Sequence, residues 1–112
     1  MSAPRPQATL YRVDRFSVPE AALPEFATLV ERTHVILRGQ SGFVRDLLLR
    51  QVSGPGRFNV TTIAEWADQR SYDAAVEEVR RFHDSIGFDR SSFAARLGIE
   101  ADIGVYRNWE IA

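Results

Sequence analysis

The alternation of apolar and polar positions divides the chain into short strands separated by helices. Residues 9–18 (TLYRVDRFSV) alternate and are rich in β-branched and aromatic side chains, which predicts a first strand. The same pattern predicts a second strand over 43–52 (FVRDLLLRQV) and a third over 58–66 (FNVTTIAEW). Glycine and proline at 53–56 predict a hairpin, so these two strands should be antiparallel neighbours. A fourth strand is predicted over 103–111 (IGVYRNWEI).

Apolar residues at helical spacing predict two long helices and one short one. The first helix is predicted over about 24–38, where it opens on a proline suited to a first turn and ends at Gly39. The second helix has Asp68 as its N-cap and ends at Gly87. Its apolar face is expected to carry Tyr72, Ala75, Val76, Val79, Phe82, His83 and Ile86. A short helix is expected over 92–97.

The element order β-α-β-β-α-β is the split βαβ arrangement of a ferredoxin-like α+β fold. It predicts a four-stranded antiparallel sheet with the two long helices on one face. An antiparallel sheet with one wet face should alternate cleanly between apolar and polar residues, and these strands do not. In the second strand we expect one face to carry Phe43, Leu47 and Leu49, and the other face to carry Val44, Leu48 and Val52. In the fourth strand we expect one face to carry Ile103, Val105, Trp109 and Ile111, and the other face to carry Tyr106.

The chain has helices for only one of these two apolar sheet faces. We therefore predict a homodimer in which two sheets pack together, because a large uncovered apolar surface would promote aggregation. The alternative is that these are the isolated apolar side chains found on the surface of any soluble protein. At 112 residues the chain has room for one domain, expected over 9–112 after a flexible tail at 1–8.

Composition then removes several classes of function. A net charge of −1 gives polyanions no overall attraction, so no nucleic-acid partner is expected. All 14 basic residues are arginine, which excludes a Schiff-base or P-loop lysine, and zero cysteine excludes thiol nucleophiles and iron–sulfur clusters. No metal-ligand spacing such as HExxH is present, so no metal site is expected. Without a signal peptide or an apolar span, we expect a cytoplasmic protein with no membrane partner.

The stretch EWADQRSYDAA, residues 65–75, lies where the third strand runs into the second helix. It resembles the Trp-x-Asp/Ser-x-x-x-Tyr/Phe signature of the antibiotic biosynthesis monooxygenase family of dimeric α+β barrels. Gly42 and Phe43 also match the family's Pro-Gly-Phe, with Ser41 in place of the proline. The resemblance covers roughly residues 10–106. It implies two protomers whose sheets form a shared barrel, each with a ligand pocket between sheet and helices.

Activities in this family include cofactor-free oxygenation of anthrones and quinols, haem degradation, and isomerisation or binding of small molecules. In the anthrone-type oxygenases the pocket carries the third-strand Trp, an Asn four residues before it, and the second-helix Tyr. The resemblance therefore implies roles for Trp66 and Tyr72, with Thr62 in the Asn position. Haem-degrading relatives have a His early in the second helix and an Asn on the first strand. This chain has Ala-Ala-Val at 74–76 and Arg-Val-Asp at 12–14 instead, which counts against haem.

Strand geometry adds further candidates to this pocket. Thr62 and Trp66 share one strand face with Phe58 and Val60, and an apolar wall with few polar points suits a flat aromatic ligand. The second helix should add Val76 and Val79. Arg12 and Asp14 share a face of the first strand and are further candidates, as is Arg107 on the fourth. The alternative for these charged residues is a cross-strand ion-pair set.

A cofactor-free oxygenase needs a base that removes a proton from an acidic phenol or benzylic carbon, because the resulting anion can itself reduce dioxygen. His83 and His34 are the two histidines of the chain, and histidine is the side chain best suited to act as a base near neutral pH. His83 lies on the apolar face of the second helix, and eleven residues separate it from Tyr72. That spacing is about 16 Å, so the two could line opposite ends of one elongated pocket. Both histidines, like Trp66 and Tyr72, could instead be structural core residues.

Two functional hypotheses follow from the sequence. The first is a homodimeric, cofactor-independent monooxygenase that oxidises a small hydroxylated aromatic, anthrone-like or quinol-like, with dioxygen. Trp66, Tyr72 and Thr62 would orient the substrate, and His83 or His34 would act as base. The second is a non-oxygenase relative with the same dimeric α+β barrel, acting as a small-ligand binder or an isomerase/cyclase.

Overall fold

A computed structural model describes residues 7–111. These residues form four strands and three α-helices, in the order β1 Leu10–Ser17, α1 Leu23–Arg38, β2 Phe43–Arg50, β3 Val60–Trp66, α2 Gln69–Ser85, α3 Arg90–Leu97 and β4 Glu100–Tyr106. The strands form one antiparallel sheet in the order β2-β3-β1-β4. This confirms the ferredoxin-like α+β fold. The first six residues of the expected tail lie outside the described residues.

Side-chain caps and a left-handed glycine fix where the helices begin and end. The Asp68 carboxylate accepts a hydrogen bond from the Ser71 N–H at 2.9 Å, which confirms the predicted N-cap of α2. Asp89 caps α3 in the same way, so that helix begins at Arg90, two residues before its predicted start. Gly98 ends α3 with φ +71°, a left-handed conformation that glycine adopts without strain.

The predicted bounds of the fourth strand were wrong at both ends. β4 begins at Glu100, three residues early, because residues 100–102 pair with the end of β1 in spite of their low strand propensity. It ends at Tyr106, opposite Tyr11, because β1 extends only one residue further and offers nothing more to pair with. Residues 107–111 therefore leave the sheet, and Trp109 is 84% exposed.

A bulge near the start of β2 also corrects the predicted faces of that strand. Phe43 pairs with Trp66 and Arg45 with Glu65, so β2 contains one extra residue between these two pairs. An extra residue reverses the alternation that follows it. Phe43 accordingly packs with Trp66 on the helix-covered face, whereas Leu47 and Leu49 lie on the opposite face.

Gly42 lets the turn before β2 approach the start of α2 closely. Its φ is +83°, and a Cβ at this position would lie 2.0 Å from the Ser71 Oγ. Any other residue would therefore meet both backbone strain and a steric clash. The Gly42 carbonyl also accepts a hydrogen bond from the Ala67 N–H at 2.8 Å, which anchors the junction between β3 and α2.

The hydrophobic core between sheet and helices consists of two separate clusters. One is built on Leu10, Ala64, Trp66 and Ala75, with Leu37, Phe43 and Tyr72 packed against it. The other is built on Val18, Ala22, Phe26 and Ile99, with Phe16, Val30, Val60 and Phe93 among its partners. The middle of the helix-covered face joins neither cluster: there β1 carries Arg12 and Asp14, and β3 carries Thr62. The fold therefore leaves a polar gap between two apolar ends.

The opposite face of the sheet carries apolar side chains that no described element covers. Leu47, Leu49 and Tyr106 are 43%, 45% and 49% exposed, and Val13 and Ile63 lie between them, half-buried. The described residues include no helix with the length and hydropathy of a membrane span.

Candidate active site

The polar gap in the core is built around Arg12, in the middle of β1. Its Nε donates to the Asp14 carboxylate at 2.5 Å, and its Nη1 donates to the Tyr72 hydroxyl at 2.9 Å. Burial alone would lower the pKa of Arg12, but Asp14 and Tyr72 outweigh burial and raise it, so the guanidinium stays charged. Because the Tyr72 oxygen accepts from Arg12, the tyrosine proton is available to a ligand.

His34 faces the same gap from α1 and is held by an acidic partner on β2. Its Nδ1 lies 2.9 Å from Asp46 Oδ2, and the Arg38 Nε donates to the same oxygen at 2.9 Å. Burial acts to raise the pKa of Asp46, but the hydrogen bonds from His34 and Arg38 outweigh burial and lower it. An ionised carboxylate only accepts hydrogen bonds, so the imidazole donates from Nδ1, and in a neutral ring with this tautomer the lone pair is on Nε2.

His83 faces the gap from α2 and has no comparable partner. Its Nε2 is buried, and no hydrogen-bond partner for it lies within residues 7–111. The ring packs between Phe82 and Phe88, with centroid distances of 5.8 and 4.6 Å. Burial lowers the pKa of His83, the charge of Arg90 lowers it further, and Asp84 opposes both effects. The ring is therefore neutral near pH 7.

A cavity of about 340 Å³, here called the main lobe, opens between the sheet and helices α1 and α2. Its floor and walls include Arg12, Asp14, His34, Thr62, Trp66, Tyr72, Val76, Val79 and His83. A second cavity of about 150 Å³ lies beneath α3 and is called the α3 lobe. The two lobes share Arg12, Asp14, His34, Thr62, His83 and Arg90 among their lining residues. The polar side chains thus lie where the two lobes meet.

Trp66 forms the closed end of the main lobe. It is 1% exposed and meets Phe43 and Tyr72 edge to face, with centroid distances of 5.5 and 6.5 Å. Thr62, four residues earlier on the same strand face, is also buried and lines both lobes. Trp66, Tyr72 and Thr62 therefore line the main lobe, whereas Phe43 packs against Trp66 without lining it.

The structure brings together nine of the twelve residues proposed for the pocket from sequence. They are Arg12, Asp14, His34, Thr62, Trp66, Tyr72, Val76, Val79 and His83. Phe58, Val60 and Arg107 line neither lobe. Arg107 follows the end of β4 and donates to the Gln7 carbonyl at 2.7 Å. Phe58 precedes β3 and lies between the guanidinium groups of Arg15 and Arg57, whereas Val60 packs in the core cluster around Phe26.

Sequence reasoning missed three residues that complete this site. Asp46 interrupts the apolar run of β2, and a charge in the centre of a strand is a signal of a buried partner. The partner, His34, follows only from the register that the bulge sets. Phe88 and Arg90 line both lobes and follow Gly87, in a segment for which no role was predicted. Residues 7–111 contain no group of three or more His, Asp or Glu side chains placed to hold a metal ion.

Comparison with known proteins yields a family match and several similar folds. A model of the family described as "Antibiotic biosynthesis monooxygenase" matches residues 9–84. No curated protein matches the chain significantly by sequence. SnoaB, a cofactor-independent oxygenase from Streptomyces nogalater, is 23% identical with a TM-score of 0.63, over 93% of this chain and 96% of its own.

Two further solved structures share this fold. A dabb family protein with a ferredoxin-like fold from Mesorhizobium loti is 20% identical with a TM-score of 0.64, over 93% of this chain and all of its own. The heme-degrading protein Rv3592 from Mycobacterium tuberculosis is 20% identical with a TM-score of 0.53, over 61% of this chain and 77% of its own. At these identities the similarity establishes the fold alone, and the chemistry must be inferred from the residues of the site.

Proposed function

The chain belongs to the antibiotic biosynthesis monooxygenase family, and we propose that it is a cofactor-independent monooxygenase that oxidises a hydroxylated aromatic, anthrone-like or quinol-like, with dioxygen. One observation carries the proposal: a histidine oriented by a carboxylate lines the same cavity as a charged arginine bonded to a tyrosine. The fold neighbour SnoaB, itself a cofactor-independent oxygenase, points the same way.

In this proposal His34 is the base. Its hydrogen bond to Asp46 fixes the tautomer and leaves Nε2 to accept a proton from the substrate. Asp46 also stabilises the imidazolium that forms, since it remains ionised beside Arg38. His83 is the second candidate base, because a neutral ring whose buried Nε2 has no partner among residues 7–111 can also accept a proton.

Arg12 and Tyr72 bind the oxyanion that proton removal creates. The arginine supplies a fixed positive charge, and the tyrosine hydroxyl is oriented by accepting one of the arginine N–H groups. The Thr62 hydroxyl is a further donor at the same wall of the cavity. Trp66 and the apolar side chains of α2, Val76 and Val79, hold the ring system flat and limit the water around it.

The reaction needs no electron source other than the substrate. The base removes one proton from an acidic CH₂ group, and the resulting anion passes one electron to dioxygen. The carbon radical and superoxide combine into a peroxide, which takes up the proton held by the base. Loss of water then leaves a carbonyl, so CH₂ and O₂ become C=O and H₂O. Charge on the intermediates is stabilised more strongly in a dry site than in water.

Oxygen uptake measured with a panel of anthrones and hydroquinones tests this function. The protein is assayed with a metal chelator present and no flavin added, and we expect uptake to depend on protein concentration. The alternative, a proton-transferring isomerase/cyclase or a binder of the same architecture, predicts no uptake. An isomerase would still exchange substrate hydrogen for deuterium under nitrogen, whereas a binder would do neither.

The functional unit in this proposal is a homodimer formed by the uncovered face of the sheet. That face carries Leu47, Leu49 and Tyr106, and packing two such faces would remove their apolar surface from water. Light scattering should therefore give about twice 12.7 kDa. Replacing Leu47 and Leu49 together by Asp should give a monomer, and a wild-type protein that is monomeric at all concentrations would contradict this assembly.

A further inference from the structure

The cavity extends on both sides of its polar centre. Arg12, His34, His83 and Arg90 line both lobes, so the main lobe lies on one side of them and the α3 lobe on the other. Trp66 and Tyr72 line only the main lobe. The site described so far therefore accounts for one side of the polar centre and leaves the α3 lobe without a role.

Beyond the shared residues, the α3 lobe is apolar. Its own lining includes Phe16, Phe26, Val30, Phe93, Ala94 and Ala101. A row of ring contacts leads into it from the polar centre: His83 meets Phe88 with centroids 4.6 Å apart, and Phe88 meets Phe93 at 5.2 Å. Such a lining offers a ligand no hydrogen bond and favours an apolar group.

The volume of the α3 lobe matches one aromatic ring. It measures about 150 Å³, and an engineered apolar cavity of roughly 150 Å³ in another protein binds benzene. The main lobe, at about 340 Å³, is more than twice as large and suits a fused ring system. Two small side chains, Ala94 on α3 and Ala101 on β4, leave the space that the ring would fill.

We propose that the α3 lobe is a binding subsite for an apolar aryl group of the substrate, attached next to the acidic oxygen of a fused ring system in the main lobe. This inference rests on the proposed function for the position of the acidic oxygen, at Arg12 and His34. The substrate class is then an aryl-substituted fused-ring phenol or its keto tautomer, with its oxygen between two apolar parts. Burial of the extra ring provides the selectivity.

Calorimetric titration under nitrogen tests the subsite without turnover, using three probes: 1-naphthol, 2-phenyl-1-naphthol and 4-phenyl-1-naphthol. 1-Naphthol lacks the aryl group. 4-Phenyl-1-naphthol is an isomer of 2-phenyl-1-naphthol that carries the phenyl group away from the oxygen. We expect the wild-type protein to bind 2-phenyl-1-naphthol at least tenfold more tightly than either of the others, which corresponds to about 1.4 kcal/mol.

Filling the α3 lobe should abolish this preference. Ala94→Phe and Ala101→Phe each place a ring in the lobe. Ala101 lies on an edge strand, which tolerates a larger side chain, so Ala101→Phe remains usable if Ala94→Phe proves unstable. Ala95→Phe is the matched control, because Ala95 is exposed on the same helix and lines neither lobe. We expect 1-naphthol to bind all variants equally and 2-phenyl-1-naphthol to lose about tenfold only in the two lobe variants.

Equal affinity for the two phenyl isomers, or a preference that survives Ala101→Phe, would overturn the subsite. Failure of the wild-type protein to bind any of the three naphthols would overturn it as well. The outcome is separable from the proposed function: a protein that shows the isomer preference but consumes no oxygen retains the subsite and loses the monooxygenase activity.

Discussion

Two histidines approach one cavity from neighbouring helices, and they differ in their hydrogen-bond partners and in the charges around them. His34 on α1 is bonded to Asp46, whose charge Arg38 also supports. His83 on α2 has a buried Nε2 with no partner among the described residues and packs against aromatic rings. The first setting fixes a tautomer and stabilises a positive charge, whereas the second opposes the charge.

This difference shows that burial alone does not identify a base. Both rings face the junction of the two lobes, and only His34 combines a fixed orientation with a carboxylate that remains ionised. The apolar surroundings of His83 fit the aryl subsite proposed for the α3 lobe, since an uncharged ring can form part of its wall. The predictions below test this division of roles.

The largest expected effect is that of His34→Gln on catalysis. Loss of a general base typically costs about 100-fold or more in rate, and glutamine preserves most of the side-chain volume. We expect kcat for oxygen uptake to fall by about that factor. His83→Gln is the matched control and should cost less. A larger loss in His83→Gln than in His34→Gln would exchange the two roles.

A smaller effect is expected from Asp46→Asn, since the base remains but loses its orienting charge. We expect about a tenfold loss of kcat, similar to the loss in metalloenzymes when the hydrogen-bond partner of a metal-binding histidine is removed. The chain contains only two histidines, so the ring ¹⁵N spectrum is simple to assign. It should show His34 protonated at Nδ1 in the wild-type protein and a redistributed tautomer in the variant.

Arg38→Gln serves as the control for Asp46→Asn. It removes the other partner of the carboxylate, leaves the bond from His34 in place, and should change kcat by less than about threefold, as for an exposed ion pair. If the wild-type spectrum shows the Nε2-protonated tautomer for His34, the proposed orientation fails whatever the activity of either variant.

The smallest expected effect is on stability and concerns His83. A buried polar atom without a partner costs about 1–3 kcal/mol, so His83→Phe should raise the free energy of unfolding by about 1 kcal/mol in urea titrations. Because folding lowers the pKa of His83, the unfolded chain binds the proton more tightly. Wild-type stability should therefore fall as the pH drops below 6.5, more steeply than in the variant. Parallel pH curves would show that His83 has a partner in solution.

Local sequence signals were sufficient for much of the fold. Asp68 predicted the start of α2 and Gly39 the end of α1. These helix ends depend on caps and periodicity, which can be identified within a few positions of the chain. The position of Trp66 and Tyr72 at the cavity was instead implied by the resemblance of residues 65–75 to a family signature.

The rest depended on pairing between distant segments. The bulge at the start of β2 is set by its register with β3, and that register places Asp46 beside His34. The end of β4 is set by where β1 stops, so the apolar residues at 107–111 gave a false strand signal. Val60 occupies the expected strand face but lies at the end of the sheet that is filled by the core cluster around Phe26.

The most direct test of the central claim is the fate of labelled oxygen. Purified protein, freed of metal by a chelator and of flavin, is incubated with an anthrone under ¹⁸O₂, and the product is analysed by mass spectrometry. We expect one ¹⁸O atom in the product carbonyl and one in water, and a rate of product formation that falls about 100-fold in His34→Gln. Unlabelled product, or no oxidation by the protein of any anthrone or hydroquinone tried, would contradict it.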